Sequence, residues 1–266
     1  MFQRGYSLDE LSFLLCYPRQ EKDCFEKRIV EARLLGIKHF IREGNVLLNG
    51  IPVIGKGTTA IVVKAVYLGG VEVAVKVRRL DSNRPSMRHE ARILKITNKV
   101  GIGPKMTAHS RNFIIWRYVG GISLDEWAST SSKRDLEEVL AKLLVQLYIL
   151  DRMGVSHKEL ARSRGHIIVE NKNPVILDFE TASLGSSKSN VTQFFSCLIS
   201  GRGPGRVIRE RLGVNVEELR RALASYKADM DITPVIEALH LKKLFHHFYD
   251  DVRSRLADSL YVTDEI

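Results

Sequence analysis

The chain has 266 residues, which is enough for one large domain or two small ones with a substantial core. Hydrophobic residues make up 44% and charged residues 27%, and no apolar run approaches the roughly 18–20 residues of a membrane-spanning helix. The formal net charge of +10 favours a polyanionic partner, such as a nucleotide, a nucleic acid or an acidic protein, although surface lysine and arginine alone explain it equally well.

Residues 1–50 are predicted to form an N-terminal extension of helices and a hairpin, with no signal peptide. Ser7 and Glu10 form a capping-box pattern that begins a helix ending near Leu15, and a second helix is expected over residues 21–35. Strand-like residues 39–41 and 46–48 flank a turn and predict a hairpin. The extension is either a winged-helix remnant or a helical brace on the next domain.

The cysteines are Cys16, Cys24 and Cys197, and their spacing does not match a metal site. We therefore expect reduced thiols and a cytoplasmic protein.

Residues 51–118 are rich in β-branched residues and predict a small antiparallel sheet with one helix. Strands are expected at residues 61–63, 71–77 and 113–116, with Gly69 and Gly70 as a tight turn and a helix at 86–100.

Residues 119–266 are predicted to be mostly helical. The expected helices cover residues 136–153, 191–199, 216–227 and 234–256, the last with Thr233 as its N-cap. Two short strands, at 166–169 and 175–179, are joined by a turn at 171–174. The fold class is thus α+β, with a β-rich part followed by a larger helical part.

A glycine turn is the first candidate ligand site. Gly55, Lys56, Gly57 and Thr58 begin a Gly-x-Gly-x-x-Ala-x-Val pattern, in which glycines let a backbone approach phosphates closely. A strand follows rather than a helix, which excludes a Rossmann site. Alone, the pattern is also typical of an ordinary hairpin.

Lys76 lies in an apolar strand-like run, where a buried ammonium needs a partner. Glu90, fourteen residues later in the predicted helix, can be that partner, and so can the phosphates of a nucleotide. Asp178 follows a second apolar run and can direct a carboxylate at a metal ion.

Together these motifs resemble the protein-kinase-like superfamily, above all the small atypical archaeal serine/threonine kinases related to the RIO and KEOPS-complex kinases. Residues 73–80 are particularly RIO-like. The resemblance implies a bilobal kinase-like fold: the extension at 1–50, an N-lobe at 51–118 and a C-lobe at 119–266. It also implies a hinge at Arg117 to Val119 that binds adenine through backbone groups.

The resemblance places Glu159 where the family has its catalytic aspartate, and His166 where it has a metal-binding asparagine. Asp178 takes the position of the family's Mg²⁺-binding aspartate. The extra methylene of Glu159 shifts its carboxylate, and imidazole is a poor ligand for Mg²⁺. His166 is therefore either a second metal ligand or a structural histidine held by hydrogen bonds.

These features predict an ATP- and Mg²⁺-dependent kinase-like enzyme that transfers phosphate to a hydroxyl acceptor or acts as an ATPase switch in an assembly. The alternatives are a pseudokinase that transfers nothing and a nucleic-acid-binding module. Its partner would be a protein substrate or an assembly partner, with the basic loop at 201–206, Arg209 and Arg211 as a contact for an anionic one. A solvated loop explains these arginines equally well. No membrane partner is expected.

Overall fold

The computed structural model describes residues 5–160, 165–186 and 188–261, with side chains described up to residue 253. It shows an α+β protein with antiparallel sheets. Backbone contacts divide it into two compact units. The first unit contains residues up to 95 together with 104–119, and the second contains 96–103 and the chain from residue 120 onward.

The first unit begins with two helices, α1 (Leu8–Leu15) and α2 (Lys22–Leu34). Ser7 caps α1 as predicted: its hydroxyl accepts a hydrogen bond from the Glu10 N–H, and the Glu10 carboxylate accepts one from the Ser7 N–H. These two bonds satisfy donors that a helix start leaves unpaired, so the capping box is confirmed.

Cys16 and Cys24 form a disulfide between the end of α1 and the first turns of α2. The chain reverses direction between the two helices and brings their Cα atoms to 6.2 Å, within the range that a disulfide needs. The prediction of reduced thiols is therefore wrong for this pair. Cys197 is a free, buried thiol, as expected.

The strands of the first unit build one main sheet and one short hairpin. Their bounds are β1 (Ile37–Ile41), β2 (Val46–Leu48), β3 (Ile51–Val53), β4 (Gly55–Lys56), β5 (Ala60–Tyr67), β6 (Glu72–Arg78), β7 (Met106–His109) and β8 (Phe113–Arg117). The main sheet has the order β1-β5-β6-β8-β7, with β4 also paired to β5. Helix α3 (Arg88–Asn98) follows β6 in the chain.

The predicted hairpin between residues 39–41 and 46–48 is wrong. β1 pairs with β5 at the edge of the main sheet, whereas β2 pairs with β3. Asn49 and Gly50 both have positive φ, at 49° and 78°, and form the two-residue turn between β2 and β3. Asn-Gly favours such hairpin turns strongly, and this signal outweighs the turn expected at residues 43–45.

The second unit is mainly helical, with two small sheets. Its helices are α4 (Leu124–Thr130), α5 (Lys133–Arg152), α6 (Asn190–Ser200), α7 (Gly205–Leu212), α8 (Val216–Asp229), α9 (Thr233–Ala238) and α10 (Lys242–Tyr261). Its strands are β9 (Ile122–Ser123), β10 (Val155–Ser156), β11 (Ile167–Glu170), β12 (Asn173–Ile176) and β13 (Ser183–Leu184). They form the sheets β12-β11-β9 and β10-β13.

Three details of the second unit differ from the sequence prediction. The helix expected over residues 234–256 is two helices, because His240 adopts a left-handed φ of 58° between α9 and α10. Thr233 is the first residue of α9 rather than its N-cap, which is Ile232. Pro174 lies in β12 and not in the preceding turn; β12 is an edge strand, where a missing N–H is tolerated.

Among the described residues, no helix is both long enough and apolar enough to cross a membrane.

Candidate active-site residues

Lys76 and Glu90 form a buried ion pair in the first unit. Lys76 lies on β6, which has β5 on one side and β8 on the other, and Glu90 lies in the first turn of α3. The Lys76 ammonium is 3.0 Å from one Glu90 carboxylate oxygen and 2.8 Å from the other. The side chains are only 8% and 4% exposed, so the structure joins these two predicted residues in a largely desolvated pair.

A second buried lysine, Lys64, was missed from the sequence. Lys64 pairs with Ala74 across β5 and β6, and Val62 pairs with Lys76, so both lysines project from the same face of the sheet. Lys64 forms ion pairs with Glu43 and Glu72 and lies 4.4 Å from the centre of the Tyr118 ring. Burial lowers the pKa of Lys64, but the hydrogen bonds to Glu72 and Glu43 outweigh it and leave the pKa above its usual value.

Gly55, at the start of β4, and Gly57, in the turn between β4 and β5, are not required to be glycine by backbone conformation or close packing. Neither Gly55 nor Gly57 has a left-handed φ, and a Cβ atom would find its nearest neighbour at 3.8 Å on Gly55 and at 3.5 Å on Gly57. Both are ordinary van der Waals distances. Thr58 is exposed in the same turn. The space above the two glycines is what a close ligand such as a phosphate would require.

Tyr17, in the N-terminal extension, contacts the glycine turn. The Lys56 ammonium lies 5.5 Å from the centre of the Tyr17 ring, and the Arg79 guanidinium lies 5.0 Å from it. Arg79 also donates a 2.8 Å hydrogen bond to the Gly57 carbonyl. The extension therefore supports the turn. Sequence patterns along the chain do not show this contact, because it joins distant segments.

The predicted hinge at Arg117 to Val119 closes the first unit. The Arg117 backbone N–H donates to the Lys105 carbonyl and the Tyr118 backbone N–H donates to the Glu72 carbonyl. Both N–H groups are therefore used in hydrogen bonds within the fold. Of the residues predicted to bind adenine, Val119 is half-buried and lies at the last position of this unit.

Asp178 in the second unit has an unusual backbone. Its φ of 64° is left-handed, a conformation that costs most non-glycine residues about 1–2 kcal/mol and aspartate less. The preceding Leu177 is held on both sides: its N–H donates to the His166 carbonyl at 2.7 Å, and its carbonyl accepts from His157 Nε2 at 2.8 Å. Phe179, which follows, is fully buried against the His157 ring. The direction of Asp178 is thus fixed by both neighbours.

The segment that carries Glu159 is anchored through His157. The His157 N–H donates to the Asn190 side-chain oxygen at 2.8 Å, and the His157 carbonyl accepts from Thr181 at 3.1 Å. Asn190 is fully buried and also donates to Asp151. Burial raises the pKa of Asp151, opposed by hydrogen bonds that Asn190 and other groups donate to it. Neither Asp151 nor Asn190 was predicted, since no local pattern marks them.

Glu159, His166 and Asp178 come together in the second unit. One ligand atom from each lies within 4.8 Å of the other two, and His166 Nε2 is 3.8 Å from a Glu159 oxygen. Within the described part of the chain the His166 side chain shows this contact and an edge contact with the His157 ring, but no hydrogen bond. The hydrogen bond expected of a structural histidine is therefore not found there.

The donor set fits Mg²⁺ only in part. Asp178 and Glu159 offer carboxylate oxygens, which Mg²⁺ accepts, whereas His166 offers a nitrogen in the position where the family resemblance implies an amide oxygen. The sequence also suggests Arg162 or Arg164 as a partner for Glu180, but both arginines belong to residues 161–164, which lie outside the described residues.

The arginines after the predicted basic loop are largely engaged within the second unit. Arg211 donates to two backbone carbonyls at the end of α4, Arg209 donates to a carbonyl near the end of α6, and Arg206 pairs with Glu210. Arg209 and Arg211 therefore have structural roles, which weakens the prediction that they contact an anionic partner.

No protein-family model matches the chain. The chain is similar to the uncharacterized protein MJ1211 of Methanocaldococcus jannaschii, with 27% identity over 103 residues. That stretch covers 39% of this chain and 88% of the relative.

Proposed function

We propose that the protein is an ATP-binding, atypical serine/threonine kinase-like enzyme that transfers the γ-phosphate of ATP to a hydroxyl acceptor. The observation that carries the proposal is the buried Lys76–Glu90 pair. A lysine held by a helix glutamate is the group that kinase-like sites use to bind the α- and β-phosphates. The glycine turn supports the proposal, because its space for a Cβ atom has no use in the fold.

The residues have separate roles in this proposal. Lys76 donates to the phosphates, Gly55 and Gly57 let the turn approach them, and Val119 contributes backbone groups for adenine. Asp178 holds the divalent ion, which the resemblance implies to be Mg²⁺, and Glu159 orients the acceptor hydroxyl. When bound, the ion supplies charge that neutralises the phosphates.

The experiment is a binding and turnover assay with Mg-ATP on the wild type, Asp178→Ala and Glu159→Ala. The proposal expects ATP binding and turnover in the wild type and loss of turnover in both variants. Absence of ATP binding by the folded wild type would refute every nucleotide-dependent function.

A pseudokinase is the second candidate, and the contact between Glu159 and His166 favours it. A carboxylate 3.8 Å from an imidazole, in place of a free aspartate, differs from the arrangement that orients an acceptor. ATP binding without turnover, unchanged by Glu159→Ala, would select this candidate. A cytoplasmic location is proposed for either, although it no longer follows from the cysteines, given the Cys16–Cys24 disulfide.

A further inference from the structure

We infer that Glu159, His166 and Asp178 form a single site for a divalent first-row transition metal, of which Mn²⁺ is the test ion, in preference to Mg²⁺. The inference rests on the proposed function in that it assigns the ion of the same site. It departs from that proposal at Glu159, which becomes a metal ligand instead of the group that orients the acceptor.

The distances between the three donor atoms suit one ion. Ligand atoms lie about 2.0–2.2 Å from such a metal, so two donors on opposite sides of one ion are separated by at most about 4.4 Å. The Glu159–His166 separation is 3.8 Å, and all three atoms lie within 4.8 Å of one another. Three donors spread evenly around one ion are about 3.8 Å apart, so a contraction of up to about 1 Å, within reach of partly exposed side chains, brings them onto one ion.

The chemistry of the donors selects the metal. Mg²⁺ demands oxygen ligands and loses its water reluctantly, whereas imidazole nitrogen suits iron, nickel and zinc. Mn²⁺ is the weakest binder of the first-row series, and it serves as the test ion because its binding can be followed by electron paramagnetic resonance. Two carboxylates and one imidazole therefore favour the transition metals. A direct Glu159–His166 hydrogen bond does not explain the contact, since 3.8 Å exceeds hydrogen-bonding distance.

The surrounding structure holds the ligands in place. Leu177 ties Asp178 to His166 through the N–H to carbonyl bond of 2.7 Å, and His157 ties the Glu159 segment to Leu177. One backbone hydrogen bond thus joins His166 to the residue directly before Asp178. Support of this kind fixes ligand geometry before the ion binds.

The test is titration of the metal-free full chain with Mn²⁺ and no nucleotide, with free Mn²⁺ followed by electron paramagnetic resonance and Mg²⁺ as competitor. We expect one Mn²⁺ per chain and at least tenfold weaker competition by Mg²⁺. His166→Asn replaces the nitrogen ligand with an amide oxygen and should reduce that preference to about threefold or less. His240→Asn is the matched control, an exposed histidine of the same unit, and should change nothing.

Glu159→Gln is the second variant, since it keeps the shape of the side chain and should weaken Mn²⁺ binding at least tenfold. No Mn²⁺ binding, equal competition by Mg²⁺, or no effect of His166→Asn would overturn the inference. A separate ATP-binding measurement distinguishes the two proposals. If ATP binding depends on Lys76 but no metal binding depends on His166, the proposed function stands and the metal inference is refuted. If Mn²⁺ binding depends on His166 but the protein does not bind ATP, the metal inference stands and the proposed function is refuted.

Discussion

Glu90→Gln tests whether Lys76 and Glu90 form a desolvated pair that is kept for ligand binding. The substitution preserves shape and hydrogen bonding but removes the charge that compensates Lys76. With both side chains less than 10% exposed, the loss of one partner should lower the free energy of unfolding by about 3–5 kcal/mol. Chemical denaturation measures this directly.

Glu26→Gln is the control for Glu90→Gln. Glu26 pairs with Lys22 in α2 of the same unit, but these side chains are 63% and 87% exposed. The same chemical change there should cost no more than about 0.5 kcal/mol. Equal costs for the two variants would refute the claim that the Lys76–Glu90 pair is desolvated.

The double variant Lys76→Met with Glu90→Leu separates stability from function. Apolar residues of similar volume often replace a buried ion pair without loss, so most of the stability lost in Glu90→Gln should return. ATP binding should nevertheless be lost, because the Lys76 ammonium that would bind the phosphates is gone. Wild-type ATP affinity in the double variant would refute the assignment of Lys76 as a phosphate ligand.

Further predictions concern the glycine turn, the cysteines and Asn190. Gly57→Ala should weaken ATP binding but leave the free energy of unfolding unchanged or raise it by up to about 1 kcal/mol in chemical denaturation. A loss of stability together with the loss of ATP binding would show that the fold itself requires this glycine. Without reductant, a thiol reagent at pH 8 should label no cysteine of the folded protein, because burial raises the pKa of Cys197 to about 12. After unfolding it should label Cys197 alone, and labelling of all three cysteines would disprove the disulfide. Asn190→Ala should cost roughly 2–4 kcal/mol in the same denaturation assay by leaving buried partners unsatisfied, and a neutral result would mean that it does not anchor His157.

Local chemistry predicts the parts of this fold that depend on neighbours in the chain. The Ser7–Glu10 capping box and the turn at Gly69 and Gly70 are both found where short-range patterns place them. The apolar run around Lys76 implies that the lysine needs a partner, and Glu90 in the next predicted helix is close enough in sequence to be one. Each of these features is decided within about fifteen residues.

Contacts between distant segments escape such reasoning. β1 pairs with β5, more than twenty residues away, and nothing in the five residues of β1 distinguishes this partner from β2. Asn190 reaches His157 across 33 residues, and neither residue type nor spacing signals it. Predicting the Cys16–Cys24 disulfide would have required the relative orientation of α1 and α2, which the cysteine count and spacing do not give.

Backbone strain separates the candidate metal ligands from the rest of the chain. Among described non-glycine residues, positive φ values occur at seven positions. Five of these lie in hairpin turns or just beyond helix ends, where a left-handed residue lets the chain reverse or a helix stop: Asn49, Asn171, Lys172, Met230 and His240.

The remaining two are Lys158, directly before Glu159, and Asp178. Neither is in a hairpin or after a helix, so chain reversal does not account for their left-handed backbone, which costs Lys158 about 1–2 kcal/mol and Asp178 less. The two residues with this left-handed backbone are thus the one directly before Glu159 and Asp178 itself, and both carboxylates belong to the same cluster. Backbone strain that chain reversal does not explain is typical of functional sites, where it orients the side chains that act there. The strain beside these two carboxylates therefore favours Glu159 and Asp178 as parts of one functional site.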